Sequence, residues 1–177
     1  SLRDMAVQQF NQSNNMTDRI GSLRPLVLAN CPEAEVALSD FHDQWRKDTL
    51  VIDKWFMLQA TVPQNNTLER VRQLMEHTLF SLKNPNKVRA LIGAFASMNP
   101  VFFHSSDGSG YEFVGQQLIA LDPVNPQIAA RLAKGFSSWR RYDQNRQGKM
   151  TAVLEKVLRQ TGLSRDVYEV VERSLKD

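Results

Sequence analysis

Asn84–Tyr111 reads NPNKVRALIGAFASMNPVFFHSSDGSGY. Two Asn-Pro steps, at 84–85 and 99–100, open helices within it. Asparagine's side-chain oxygen takes up the first free N–H groups of a helix. Proline at the first helical position lacks an N–H that would have had no partner there. Between the two starts, Val88, Leu91, Ile92, Phe95 and Ala96 recur at helical spacing on one face. The stretch closes on Asp107-Gly108-Ser109-Gly110-Tyr111, which reads as a tight turn at Asp107–Gly108 with Ser109 capping a helix that starts near Tyr111. That Gly-rich run superficially resembles a phosphate cradle. It lacks the Walker spacing and its lysine, and no strand precedes it.

Helical periodicity continues in both directions. Leu2, Met5, Ala6 and Phe10 share a face, as do Met16, Ile20, Leu23 and Val27; Pro25 is expected to kink or end that second helix. Pro32 with Glu33 and Glu35 opens the stripe Ala34, Ala37, Leu38, Phe41, Trp45, since acidic residues suit the positive end of a helix dipole. LVIDKWFMLQA (50–60) is apolar nearly all round and predicts a central, buried helix. Thr67 reads as the N-cap of the helix marked by Leu68, Val71 and Met75. Downstream stripes are Val114, Leu118, Leu121; then Ile128, Leu132, Phe136, Trp139, following a third Asn-Pro at 125–126; then Met150, Val153, Leu154, Val157, Leu158; and Val167, Val171, Leu175. No alternating strand pattern occurs. The expectation is an all-α chain forming a single domain over residues 1–177. About ten helices with short connectors should stack as antiparallel pairs in a curved, α-solenoid-like array. The sequence has no regular repeat, so the common solenoid families are not supported.

The 177 residues are 42% hydrophobic and 23% charged, with a net charge of +3 and a pI near 9.2. A dedicated nucleic-acid binder concentrates more charge on one face. No apolar run approaches the roughly 20 residues needed to cross a bilayer. The N-terminus has no signal-like core, and the lone Cys31 excludes an intramolecular disulfide, so a cytoplasmic location is expected.

Chemistry is sparse. His42, His77 and His104 form no His-Glu-x-x-His and no i, i+4 pair for zinc, so no metal site is expected. Cys31 sits near a helix start but has no recognisable base, and reads as incidental. SWRRYDQNRQGKM (138–150) interleaves Arg140, Arg141, Arg146 and Lys149 with Trp139 and Tyr142. Such a run can bind nucleic acid, although a core tryptophan with charges on a helix end or a domain contact is the simpler account. Gln127 and Arg131 stand on one helix face beside the Ile128–Leu132–Phe136 stripe. They have the donors to hold a peptide carbonyl or carboxylate, while an exposed pair with no ligand is the plainer reading of spacing alone. No catalytic constellation is present.

Taken together, NNMTDRIGSL (14–23), LVIDKWFMLQA (50–60), the 84–111 stretch, NPQIAARL (125–132) and RRYDQNRQGKM (140–150) resemble the C-terminal domain of bacterial aminopeptidase N, a zinc-dependent alanyl aminopeptidase of the gluzincin class. The match runs in order across nearly the whole chain. The resemblance implies a helical stack that encloses a catalytic chamber and limits entry to short or unfolded peptides. Its zinc ligands and the Gly-Ala-Met-Glu-Asn amine-binding motif do not occur here, so zinc would lie outside this chain. The chain alone is expected not to hydrolyse peptides. The implied partners are the catalytic and N-terminal domains of the same polypeptide and peptide substrates, not nucleic acid or membrane. An apolar docking surface left open would let the fragment self-associate. The family pattern places a Gln and an Arg facing the chamber, and these fall on Gln127 and Arg131. Arg89 is a weaker chamber-facing candidate that alternatively anchors the stack through a carboxylate. A freestanding helical interaction module is the alternative, and a nucleic-acid-binding helical domain a more distant one.

Overall fold

The computed structural model describes residues 2–176; the outermost residues of the predicted domain lie outside them. The first part comprises α1 (Leu2–Gln12), α2 (Met16–Ala29), α3 (Pro32–Trp45), α4 (Thr49–Thr61) and α5 (Thr67–Met75). A continuous helical run from Pro85 to Met98 follows, made of α6 (Pro85–Val88), a π-helical turn (Arg89–Gly93) and α7 (Ala94–Met98). Then come α8 (Pro100–Phe103), α9 (Ser109–Leu121), α10 (Pro126–Ala133), 3-10 turns at Lys134–Phe136 and Trp139–Arg141, α11 (Gln144–Leu158) and α12 (Arg165–Lys176). Among the described residues there is no strand.

Neighbours in sequence are neighbours in space: α1 packs on α2, α2 on α3, α3 on α4 and α4 on α5. The expectation of a central α4 is met. It also touches the whole 85–98 run, and Val51, Ile52, Trp55, Phe56, Leu58 and Ala60 are all buried. In the second half α9 meets α8, α10 and α11, while α12 lies across both α10 and α11. One continuous apolar cluster runs from Ala6 to Val171, with Phe41, Phe56, Phe95, Phe103, Tyr111, Phe113 and Phe136 fully enclosed.

All three Asn-Pro starts form as expected. Asn84 Oδ1 accepts from the Asn86 and Lys87 N–H groups, Asn99 Oδ1 from Phe102, and Asn125 Oδ1 from Ile128. Asn99 is 1% exposed, and its amide also donates to the Ala60 and Val62 carbonyls, closing the end of α4.

Three local expectations are corrected. Of the kink or end expected at Pro25, the end does not occur: α2 continues to Ala29 and closes at Asn30 in the left-handed conformation (φ 49°). The residue four positions before the proline, whose carbonyl a helical proline ring crowds, is Gly21, and glycine has the most adaptable backbone. Thr67 is not an N-cap: buried, it accepts from the Gln64 N–H at 3.0 Å and donates to the Val62 carbonyl at 2.6 Å. Nor does Ser109 cap α9, which starts at Ser109 itself. Asp107 Oδ1 accepts from the Ser109 N–H at 3.0 Å and from its hydroxyl at 2.8 Å. Those bonds hold the Asp107 carboxyl below its usual range.

The 104–108 turn is gripped by the start of α11. Arg146 Nε donates to the His104 carbonyl at 2.7 Å; Asn145 and Lys149 donate to the Ser106 carbonyl at 2.9 and 2.5 Å. Gly110 belongs to the same junction, because a Cβ there would lie 2.5 Å from the Phe103 carbonyl oxygen.

Candidate binding cavity between Arg89 and Arg131

Lys87 sets the position of the 85–98 run. Its buried Nζ donates to Asp53 Oδ1 at 2.5 Å and to the Thr49 carbonyl at 3.2 Å, fastening α6 to the first turn of α4. Two residues on, Arg89 opens the π turn. The guanidinium lies back over its own helix start, donating to Asn86 Oδ1 at 2.7 Å and to the Pro85 carbonyl at 3.2 Å. Among the described residues no carboxylate pairs with it.

On the other side, Asn125 and Pro126 start α10, which buries Ala129, Ala130, Leu132 and Ala133 and leaves Gln127 and Arg131 exposed. Arg131 and Arg89 line one cavity of about 340 Å³, together with Gly93, Ala96, Ser97, Ile128, Leu132 and Gly135. No acidic side chain lines it. Among the described residues the Arg131 guanidinium has no hydrogen-bond or ion-pair partner. Two cationic residues and no acid among the lining give a positive field suited to a carboxylate. Gln127 stands one turn before Arg131 but outside the cavity lining. The structure therefore unites Arg89 with Arg131 and leaves Gln127 outside the cavity. Sequence reading missed Gly93 and Gly135; the available signal was a glycine inside a helical pattern.

A second cavity of about 320 Å³, between α9 and α11, carries Glu112 beside Lys149 and Lys156 and so has no single sign of charge.

The histidines are otherwise engaged. His42 and His77 meet at 5.0 Å between ring centroids beside Trp55 and Phe56. His42 Nδ1 faces Asp43 Oδ1 at 3.2 Å, leaving its Nε2 buried and unpartnered. His77 Nδ1 accepts from the Leu79 N–H, which puts the neutral ring's proton on Nε2 and removes the lone pair a metal would need there. Burial, then the neighbouring His42, lowers the His77 pKa. His104 is held between two hydroxyls, Tyr111 at 2.8 Å on Nδ1 and Tyr142 at 2.8 Å on Nε2. The described residues contain no cluster of three or more His, Cys, Asp or Glu able to hold a metal, and these donor sets do not fit zinc. Cys31 is buried, its thiol directed at the Leu26 carbonyl 3.8 Å away.

The basic run 138–150 is largely occupied internally. Trp139 Nε1 donates to the Ser174 carbonyl, and Arg140 reaches the Ser174 and Leu175 carbonyls while lying 4.1 Å over the Trp139 ring. Arg146 and Lys149 serve the 104–108 turn. No described helix is long and apolar enough to cross a membrane.

The chain is similar to known proteins over nearly its whole length. The family described as "Domain of unknown function (DUF3458_C) ARM repeats" matches residues 1–176. Aminopeptidase N of Escherichia coli (strain K12) is 45% identical over 175 residues, covering 98% of this chain and 20% of the relative. Aminopeptidase N of Haemophilus influenzae is 41% identical over 173 residues, again 98% and 20%. A crystal structure of Legionella pneumophila aminopeptidase A in complex with aspartic acid superposes with a TM-score of 0.93 at 38% identity, over 98% of this chain and 20% of that one. The chain thus spans about a fifth of the length of the relatives it matches.

Proposed function

The chain belongs to the DUF3458_C family of ARM repeats, and on that premise we propose that it acts as the non-catalytic C-terminal helical domain of a zinc-dependent aminopeptidase. Residues 1–177 form a single domain of that larger, cytoplasmic polypeptide, docked on its catalytic and N-terminal domains. It encloses the chamber in which N-terminal residues are removed from peptides and limits which peptides enter. Zinc is held by residues outside this chain, and no step is assigned to it here. The aminopeptidase relatives and the matching aminopeptidase fold support the setting.

The observation that carries the reading is the acid-free cavity lined by Arg89 and by Arg131, which has no partner among the described residues. A peptide lying across it has its carbonyls and terminal carboxylate within the field of both guanidinium groups. Gln127, exposed one turn before Arg131, adds a neutral donor and acceptor.

The test uses the full-length enzyme. Arg131→Ala should raise KM for di- to pentapeptides by roughly tenfold, the loss of one charge-assisted hydrogen bond. Turnover of an alanyl arylamide, which has no distal carboxylate, should stay within about twofold. Gln127→Ala should act in the same direction, more weakly. Identical kinetics for wild type and both variants across all peptide lengths would remove these residues from the chamber.

A further inference from the structure

Gly93 and Gly135 stand on the two helical runs that wall the Arg89–Arg131 cavity, one ending the π turn and the other in the 3-10 turn after α10. Neither has the left-handed backbone seen at Gly108 and Gly162. A Cβ at Gly93 would meet nothing nearer than the Val88 carbonyl oxygen at 3.6 Å, and one at Gly135 nothing nearer than Phe103 Cζ at 3.8 Å. Both are ordinary contacts. The fold therefore has no steric need for glycine at either place, unlike Gly110, whose Cβ would strike backbone at 2.5 Å. Glycine within a helix is less stable than alanine, so two such positions lining one cavity run against local preference. Gly21 and Gly148 also have room for a Cβ, but both face solvent.

The cavity's chemistry selects its occupant. At about 340 Å³ it is at the small end of ligand sites and suits one amino-acid-sized group. Its lining combines apolar residues, Val88, Ala96, Ile128 and Leu132, with two arginines and no acid. Only a group that is apolar at one end and anionic at the other satisfies both parts. The C-terminal residue of a peptide has that form, with a side chain and a carboxylate on the same carbon.

We propose that this cavity is a side-chain pocket for the C-terminal residue of a short peptide, with Gly93 and Gly135 setting its depth and Arg131, beside Arg89, taking the carboxylate. The proposal rests on the chamber reading above and adds a preference at the end of the peptide remote from the scissile bond.

The experiment titrates the chain with N-acetyl-alanyl-leucine, N-acetyl-alanyl-alanine and the leucyl amide, followed by amide chemical shifts. The wild-type chain should favour the leucyl over the alanyl acid by roughly tenfold, the discrimination an apolar pocket provides. The amide should bind roughly tenfold more weakly than its acid. A Gly93→Ala/Gly135→Ala variant should melt no lower than wild type, keep its spectrum, and lose the leucyl preference while still binding the alanyl acid. Arg131→Ala should weaken both acids alike. An intact leucyl preference in the folded glycine variant overturns the proposal and leaves the chamber reading standing. So does the absence of any shift with every peptide at about 10 mM. If Arg131→Ala binds the acids as well as wild type, the proposal and the chamber role of Arg131 fail together.

Discussion

Lys87 and Asp53 are 5% and 16% exposed, and their ion pair also uses the Thr49 carbonyl. A buried pair is costly to break and cheap to replace whole. Lys87→Met alone strands the Asp53 carboxylate and should destabilise the chain by about 3–5 kcal/mol, whereas Lys87→Met with Asp53→Leu should recover most of that in urea titrations. His104 carries a different consequence. Neutral imidazole offers one donor and one acceptor, which match one hydroxyl each from Tyr111 and Tyr142; protonation turns both nitrogens into donors and leaves one hydroxyl proton without an acceptor. Burial, and after it the charge of Arg146, holds the His104 pKa below its ordinary value of 6.5. Burial also raises the Tyr111 hydroxyl to about 12, so it stays protonated throughout. The sign follows: a folded pKa below the unfolded one gives stability that is present above pH 6.5 and lost as pH falls through the folded value. The Tm should drop between pH 7 and 5, and His104→Gln should flatten that slope without removing the part due to His77, which is shifted the same way. At this scale the sequence was partly legible. Asn-Pro caps are contained within four residues, so Asn84, Asn99 and Asn125 were readable. Thr67 and Ser109 were misassigned because the Val62 carbonyl and the Asp107 carboxylate compete for their hydroxyls, and spacing cannot rank competing partners.

Helix faces were the most legible elements, since burial follows the 3.6-residue period whatever the partner. Where two helices meet was not legible. Val153 was read as part of an apolar stripe, yet its Cγ1 lies 2.4 Å from where a Cβ on Gly115 would be, so α9 and α11 interlock there. Gly115→Ala should destabilise by about 1–3 kcal/mol through overpacking, and Val153→Ala in the same chain should return part of it, as a double-mutant cycle would measure. The π turn at Arg89–Gly93 was also invisible, because Val88, Leu91, Ile92 and Phe95 fit an ordinary helix. Such turns insert a residue without breaking the apolar stripe and are frequent at functional sites. The grip of Asn145, Arg146 and Lys149 on the 104–108 turn spans about forty positions, and only folding brings the two segments together.

Across the whole molecule, packing passes mainly from each helix to the next, so the array is assembled from local pairs. That is why the all-α class and stacked arrangement could be read without a partner structure. The cavity could not, because its two walls come from residues 88–97 and 128–135, which only folding brings together. The chain spans about a fifth of the length of its aminopeptidase relatives, and the role proposed for it is exercised within such a larger polypeptide. In the full enzyme the effect of Arg131→Ala should therefore depend on peptide length. It should be largest for the length whose carboxylate reaches the rim, and smallest for arylamides.

The three helix starts have a chemical lifetime as well as a shape. Asparagine ages by deamidation when the backbone nitrogen of the following residue attacks its side-chain amide. At Asn84, Asn99 and Asn125 that nitrogen belongs to a proline, which has no hydrogen to lose and cannot complete the ring closure. The same dipeptide that sets where these helices begin also protects their caps from slow decay, and Asn99, whose amide closes α4 as well, has the most to lose from it.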